Sequence, residues 1–271
     1  MDIVLRALTE DRVGNDITTR ALGLQNKKIT VQIIARQDCV VAGLKVAREV
    51  FCRTNRRIKF SAAVKDGARV KKGRVLAKLS GPAPGILAGE RAALNFLQHL
   101  SGVATLTRRF VDKVKPYRVK ILDTRKTLPG LRELEKYAVQ KGGGRNHRAD
   151  LAAAMLIKDN HIAVVGGVVE AMRRQRGRKN FQIEVGNLSE VRLALAAGAR
   201  SLLLDNMKPR TLNQAVRFAR KLAGRRVLLE ASGGVTLKNV RAVAKSGVDR
   251  ISIGALTHSA PAVDISLSLR A

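Results

Sequence analysis

The chain has 271 residues and is 45% hydrophobic, enough for one large domain or two modest ones with a real core, and this excludes a disordered chain. Its 52 Lys and Arg against 21 Asp and Glu leave +31, a balance that draws in anions of any kind: nucleic acid, acidic membrane or phosphorylated metabolites. Aromatic residues, which stack on bases, make up only 3% with no Trp, and no zinc-finger, RRM or KH signature occurs, so a dedicated nucleic-acid reader is disfavoured.

The opening segment MDIVLRALTEDRVGND carries acids early and no long apolar run, and no window reaches the length needed to span a bilayer. Cytoplasm is the default compartment. Up to about residue 80, β-rich runs such as KITVQIIARQ and RIKFSAAV alternate with turn clusters like KDGARVKKG, which predicts a small α+β domain with an antiparallel sheet. Cys39 and Cys52 fit no CxxC or Cys/His metal spacing and read as reduced core residues. The stretch GERAALNFLQHLSGVATLTRRFVDKV then places Leu94, Leu97, Leu100 and Val103 at helical spacing. A soft break is expected at Gly102, in a helix that links two domains.

Beyond it the texture becomes a repeated strand, polar turn and amphipathic helix, as in QIEVGNLSEVRLALAAGARSLLLDN and LLEASGGVTLKNVRAVAKSGVDRISIG. Strands alternating with helices pair in parallel, giving a doubly covered sheet or a (β/α) barrel somewhat short of full size. Between these repeats and the linking helix, RRQRGRK at 173–179 reads as a solvated helix face or loop.

In such a barrel the C-terminal ends of strands carry the site. Arg125 and Lys126 directly follow VKILD, His147 and Arg148 follow the triple glycine of KGGGRNHR, and Lys158 ends the strand MLIK, so three successive segments each deliver cations to one mouth. Glu184 in FQIEV and Asp205 in SLLLD should face them as a carboxylate pair, suited to sugar hydroxyls, Mg²⁺ or a developing positive charge. Structural salt bridges from the acids to Arg125 or Lys158 are the alternative. EASGGV and SIGALTHSAP leave backbone N–H groups for a phosphate. No Ser-His-Asp arrangement, GxGxxG fingerprint or Walker A occurs, which disfavours hydride transfer and ATP hydrolysis.

The ordered series ERAALNFLQHLSGVAT, DTRKTLPGLRELEKYAV, GGGRNHR, LIKDNHI, LLLDNM, LEASGGV and IGALTHSAPAVDISL, with LTEDRVGNDITT before it, resembles the quinolinate phosphoribosyltransferases over essentially the whole chain. The resemblance implies an α/β fold: an N-terminal α/β sandwich at 1–104, joined by the tail 259–271, and an incomplete TIM-like barrel at 105–258. It implies transfer of phosphoribose from phosphoribosyl pyrophosphate to quinolinate with decarboxylation, in NAD biosynthesis, with Mg²⁺ as cofactor. A homodimer with a shared site is implied too, assembly above the dimer being left open.

Carried onto this chain, Arg125, Lys126, His147, Arg148 and Lys158 would bind the two carboxylates and the phosphates, and Arg91 would reach in from the neighbouring subunit. Lys126, Lys158, Glu184 and Asp205 would be catalytic, the two acids also lying near Mg²⁺. Ser232, Gly233, Gly254 and His258 would hold the 5′-phosphate. The chain departs from the family pattern at Gln182 and Gly186, where acids that assist the metal are lost, and at Asp150, which would pair with a ligand-binding cation. A paralogous pyrophosphorylase acting on another acceptor is the alternative within this fold. A polyanion-binding protein on a barrel scaffold is the alternative outside it, and non-specific nucleic-acid binding would be at most a side property.

Overall fold

The structure, a computed structural model, describes residues 2–178 and 180–269. In chain order its elements are α1 (Ile3–Glu10), α2 (Ile17–Ala21), β1 (Lys28–Ala35), β2 (Cys39–Val40), α3 (Leu44–Thr54), β3 (Lys59–Ala62), β4 (Arg69–Val70), β5 (Val75–Pro82) and α4 (Ala83–Val114). There follow β6 (Lys120–Leu122), α5 (Arg132–Lys141), β7 (Met155–Ile157), α6 (Asp159–Val165), α7 (Val168–Arg173), β8 (Phe181–Val185), α8 (Leu188–Ala196), β9 (Ser201–Asp205) and α9 (Pro209–Ala223). The chain finishes with β10 (Leu228–Ser232), α10 (Val240–Lys245), β11 (Arg250–Ser252), α11 (Ala255–His258) and β12 (Ile265–Leu269). Two compact units result. The first takes the described residues of Met1–Arg108, Thr127–Gly143 and Leu256–Ala271, and the second Arg109–Lys126 and Gly144–Ala255.

In the first unit, β12, β1, β5 and β3 form a four-stranded sheet in that order, antiparallel throughout. Alternation in β1 buries Val31, Ile33 and Ala35 on one face, and these pack with Phe51 of α3 and Ile86 and Leu97 of α4. Helix α4 runs unbroken through Gly102, contrary to the expected soft break. Glycine serves close packing there, because an added Cβ would overlap the Pro261 carbonyl oxygen.

The triple glycine has a similar explanation. A Cβ at Gly142 would collide with Ala104 O and Thr107, and one at Gly143 with the Arg108 guanidinium. What Gly142 and Gly143 approach is α4, so these two seat the end of α5. Glu135 of α5 is fully buried. It accepts from Leu128 N at 3.2 Å and faces His99 Nε2 at 2.8 Å, which fastens the loop after Thr127.

In the second unit, β6, β11, β10, β9, β8 and β7 form one parallel sheet in that order. A strand covered on both faces needs apolar residues at every position, as Leu202, Leu203 and Leu204 of β9 show. The repeated texture of the sequence is realised as β8–α8–β9 and β10–α10–β11, where Gly198 and Gly247 leave the helices with the same φ of 90°. Strands β6 and β7 pair only on one side, apart from a single bridge between Leu122 and Arg145, so the barrel is open between them. The arginine run lies outside: Arg173 and Arg174 of 173–178 are exposed and clamp Glu170 at 2.6 and 2.8 Å. Among the described residues no helix is long and apolar enough to cross a membrane.

Candidate active site

The parallel register lines up the C-terminal strand ends, with Ser232 opposite Asp205 and Val185 opposite Leu204. Five residues that the sequence singled out therefore leave the sheet on one rim: Arg125 and Lys126 just beyond β6, Lys158 just beyond β7, and Glu184 and Asp205 on β8 and β9. Ser232 ends β10, and Gly233 and Gly254 lie in the turns after β10 and β11.

Electrostatics ties these groups together. The Glu184 carboxyl is held above its ordinary pKa by burial first and by the Asp205 charge second, and Lys158 and Lys126 oppose the shift. Arg148 is pushed below the ordinary arginine value by burial and then by the Arg125 guanidinium, with Asp150 opposing. Two guanidiniums are thus held near one another, and two carboxylates likewise. Charge arranged against itself in this way is costly unless a ligand of opposite sign completes it.

Around the phosphate turn, Gly233 and Gly234 both adopt left-handed backbone, with φ of 85° and 59°. Asn206 is left-handed too, at φ 50°. It donates its backbone N–H to Ser232 O at 2.9 Å and its side-chain Nδ2–H to Asp205 Oδ2 at 2.6 Å. Its Oδ1 occupies the space that a Cβ on Gly233 would need. The acid strand and the phosphate turn are therefore fitted to each other through Asn206, which sequence reasoning passed over although the LLLDN motif contains it.

His147 does not join the rim through its ring. Nε2 points inward, 3.4 Å from Glu230 Oε1 and 3.4 Å from Gln182 Oε1. Gln182, read as an acid lost from the metal, is buried one layer below Glu184 and bonds Glu230 at 3.2 Å. Glu230 and Asp123, both fully buried, were missed as site-building residues. The signal was present, since a carboxylate on an apolar strand must be partnered, but strand burial alone does not say with what.

The other departures also find structural employment. Asp150 accepts from Ala152 N and Ala153 N at 2.9 and 2.8 Å and so shapes its own loop, besides facing Arg148. Gly186 donates its N–H to Glu190 Oε2 at 2.7 Å; an acid there would stand beside Glu190. Arg91 and His258 belong to the first unit. Arg91 is exposed on α4 and lines a cavity of about 300 Å³ with Glu10, Asp11, Asn95 and His99. His258 is exposed at the end of α11, its Nδ1 2.5 Å from Ser259 Oγ. Cys39 is buried, its thiol pushed up to about 11 by burial and Asp38, and is unreactive; Cys52 is partly buried.

Comparison with known proteins decides the family. Residues 16–101 match the model of the quinolinate phosphoribosyl transferase N-terminal domain, and residues 103–268 match that of its C-terminal domain. The chain belongs to the quinolinate phosphoribosyl transferase family. It is 44% identical over 276 residues to the nicotinate-nucleotide pyrophosphorylase [carboxylating] of Mycobacterium leprae, covering 99% of this chain and 96% of the relative. To the probable enzyme of that name in Bacillus subtilis it is 40% identical over 264 residues, covering 96% and 90%. The crystal structure of the Ehrlichia chaffeensis nicotinate-nucleotide pyrophosphorylase superposes with a TM-score of 0.93 at 41% identity, covering 99% of this chain and 97% of that one. The family's two-domain α/β architecture is thus the architecture of this chain.

Proposed function

We infer that the chain transfers the phosphoribosyl group of phosphoribosyl pyrophosphate to quinolinate, releasing pyrophosphate and CO₂ and giving nicotinate mononucleotide for NAD synthesis. The observation that carries this is the charge arrangement of one rim. Arg125 stands on it and its charge is felt by Arg148, and the charges of Asp205, Lys158 and Lys126 all act on Glu184. A dicarboxylate answers the first pair, and a sugar with developing positive charge answers the second. The names of the relatives agree with this reading.

In the proposed reaction the bond from ribose C1 to pyrophosphate breaks and the pyridine nitrogen supplies the pair for the new C–N bond. Glu184 and Asp205 stabilise the positive charge at C1, while Lys126 and Lys158 hold phosphate charge nearby. Backbone N–H groups at Ser232, Gly233 and Gly254 take the 5′-phosphate. Arg125 and Arg148 keep the two carboxylates of quinolinate oriented. The quaternised ring nitrogen then accepts charge from C2 as its carboxylate leaves as CO₂, and C2 takes up a proton. Two anionic substrates would repel each other in one pocket without these cations.

Mg²⁺ fits the acid pair. No group of three or more His, Cys, Asp or Glu that would cage a metal occurs among the described residues, but Mg²⁺ needs only one or two carboxylates when substrate phosphates complete its shell. The mutual charge of Glu184 and Asp205 is what a divalent ion would balance, and when bound it would offset the charge of the leaving pyrophosphate. The roles of Arg91, in trans within a homodimer, and of His258 rest on the resemblance alone. A cytoplasmic setting rests on the opening sequence as a default, and relatives in Nicotiana are named mitochondrial.

The test is an assay of purified protein with quinolinate, phosphoribosyl pyrophosphate and Mg²⁺. Nicotinate mononucleotide and CO₂ should form in equal amounts, and kcat/KM for nicotinate should be far lower, because one carboxylate leaves a cation of the ligand-filled pocket unanswered. Equal kcat/KM for the two acids would overturn the assignment of substrate.

A further inference from the structure

The two fully buried carboxylates of the parallel-stranded unit, Asp123 and Glu230, have no part in the chemistry above, and both meet His147. Asp123 Oδ1 accepts the His147 backbone N–H at 2.8 Å. On the ring, Nε2 faces Glu230 Oε1 and Gln182 Oε1, each at 3.4 Å. Gln182 Nε2 in turn donates to Glu230 Oε2 at 3.2 Å. The opposite ring nitrogen, Nδ1, lies 2.8 Å from the backbone N of Arg148.

A backbone amide can only donate, so Nδ1 must be the unprotonated nitrogen and the ring proton must sit on Nε2, where Gln182 Oε1 accepts it and Glu230 Oε1, equally distant, takes no hydrogen bond among the described residues. The amide of Gln182 is fixed by the same accounting. Its NH₂ faces the carboxylate and its oxygen is left to accept from the ring. Gln182 therefore bridges an acceptor and a donor, as only an amide can. In this state both ring nitrogens are engaged inside the protein.

We propose that His147 is a positioning residue: Gln182, its amide fixed by Glu230, selects the Nε2–H tautomer, and the Nδ1 so exposed holds the Arg148 amide and sets where the Arg148 side chain leaves the backbone. The proposal rests on the anion-site reading given above. It separates the two cations that the sequence joined, leaving Arg148 to meet the ligand while His147 fixes where Arg148 stands. Placement of this kind lowers the cost of ordering the loop when the ligand arrives.

The tautomer can be read without activity. In ¹⁵N-labelled protein the ring nitrogens of the four histidines are observed by NMR, and the His147 signals are assigned by their loss in His147→Asn. An Nε2–H ring at neutral pH is expected; an Nδ1–H or doubly protonated ring overturns the proposal. Kinetics gives the second arm. His147→Asn keeps an acceptor where Nδ1 stood, in the relation Asp159 Oδ1 already has to Asn160 N at 2.7 Å. His147→Gln reaches inward instead.

With comparable Tm, His147→Asn should keep KM for quinolinate within about threefold. His147→Gln should raise it about tenfold with little change in kcat, the scale of one lost hydrogen bond. Equal impairment of the two variants would mean that the ring itself meets the ligand, and the proposal fails. Should His147→Gln not fold, Gln182→Met removes the bridge at similar volume; a mixed tautomer and a raised KM support the proposal, and an unchanged tautomer with wild-type KM overturns it. A wild-type protein inactive on quinolinate would overturn the functional reading while leaving the tautomer result intact.

Discussion

Glu184 and Asp205 stand on adjacent parallel strands, and the charge of one helps hold the carboxyl of the other above its ordinary pKa. The folded protein therefore binds the Glu184 proton more tightly than the unfolded chain does. The stability this preference gives is present at low pH and declines as pH rises from the ordinary glutamate range through the raised folded value. Glu184→Gln removes the cost. Denaturation midpoints measured across a pH series should show the variant gaining on the wild type through that window, while activity falls. A variant that loses ground at neutral pH would mean that ionised Glu184 has a stabilising partner.

Asp205→Asn removes charge at nearly constant shape. Because the side chain of Asp205 is held by the Asn206 amide at 2.6 Å, the fold should keep its melting temperature to within a few degrees. If the carboxylate acts on charge that develops only in the transition state, kcat should fall by roughly two orders of magnitude or more with KM little changed. A destabilised enzyme with near-normal kcat would assign Asp205 to a structural ion pair.

Gly233→Ala should damage the phosphate turn twice. Its φ of 85° costs an L-residue about 1–2 kcal/mol, and the added methyl needs the place of Asn206 Oδ1. KM for phosphoribosyl pyrophosphate should rise about tenfold or more, with kcat reduced as well because Asp205 moves with Asn206. An unchanged KM would remove Gly233 from the phosphate site.

Gly102→Ala separates propensity from packing. An alanine inside an exposed helix would stabilise by about 1 kcal/mol over glycine. Here the Pro261 carbonyl fills the space, so a destabilisation of about 1–3 kcal/mol is expected in urea melts. A stabilised variant would show that the backbone at 261 yields readily.

For Arg91, mixing an Arg91→Ala chain with a Lys126→Ala chain should recover part of the activity if Arg91 serves its neighbour, since one mixed site then holds both wild-type residues. No recovery in a verified heterodimer would confine Arg91 to the cavity it lines with Glu10 and Asp11 in its own chain.

The parallel sheet was legible because apolar runs such as SLLLD and LLEAS, each ending in a polar residue, leave little choice of element or direction. The rim residues were legible for the same reason: a charge just past such a run has only the mouth to occupy. Interior polar partners were not. Nothing local in QIEV says that Gln182 will find Glu230, since that contact joins β8 to β10 across the barrel interior. The glycines misled in the opposite sense. Gly102 and the pair Gly142 and Gly143 look like a break and a ligand loop, yet each is small because another part of the first unit presses against it.

The pairing of β12 with β1 bears on how the chain is made. Val31 finds Leu269 and Ala35 finds Ile265, so one edge of the first sheet waits for a partner synthesised after every other described strand. Until then β1 offers unpaired N–H and C=O groups that any extended segment can take. Closing so distant a contact is slow. During synthesis this edge of β1 is therefore open to wrong pairing for as long as β12 is missing.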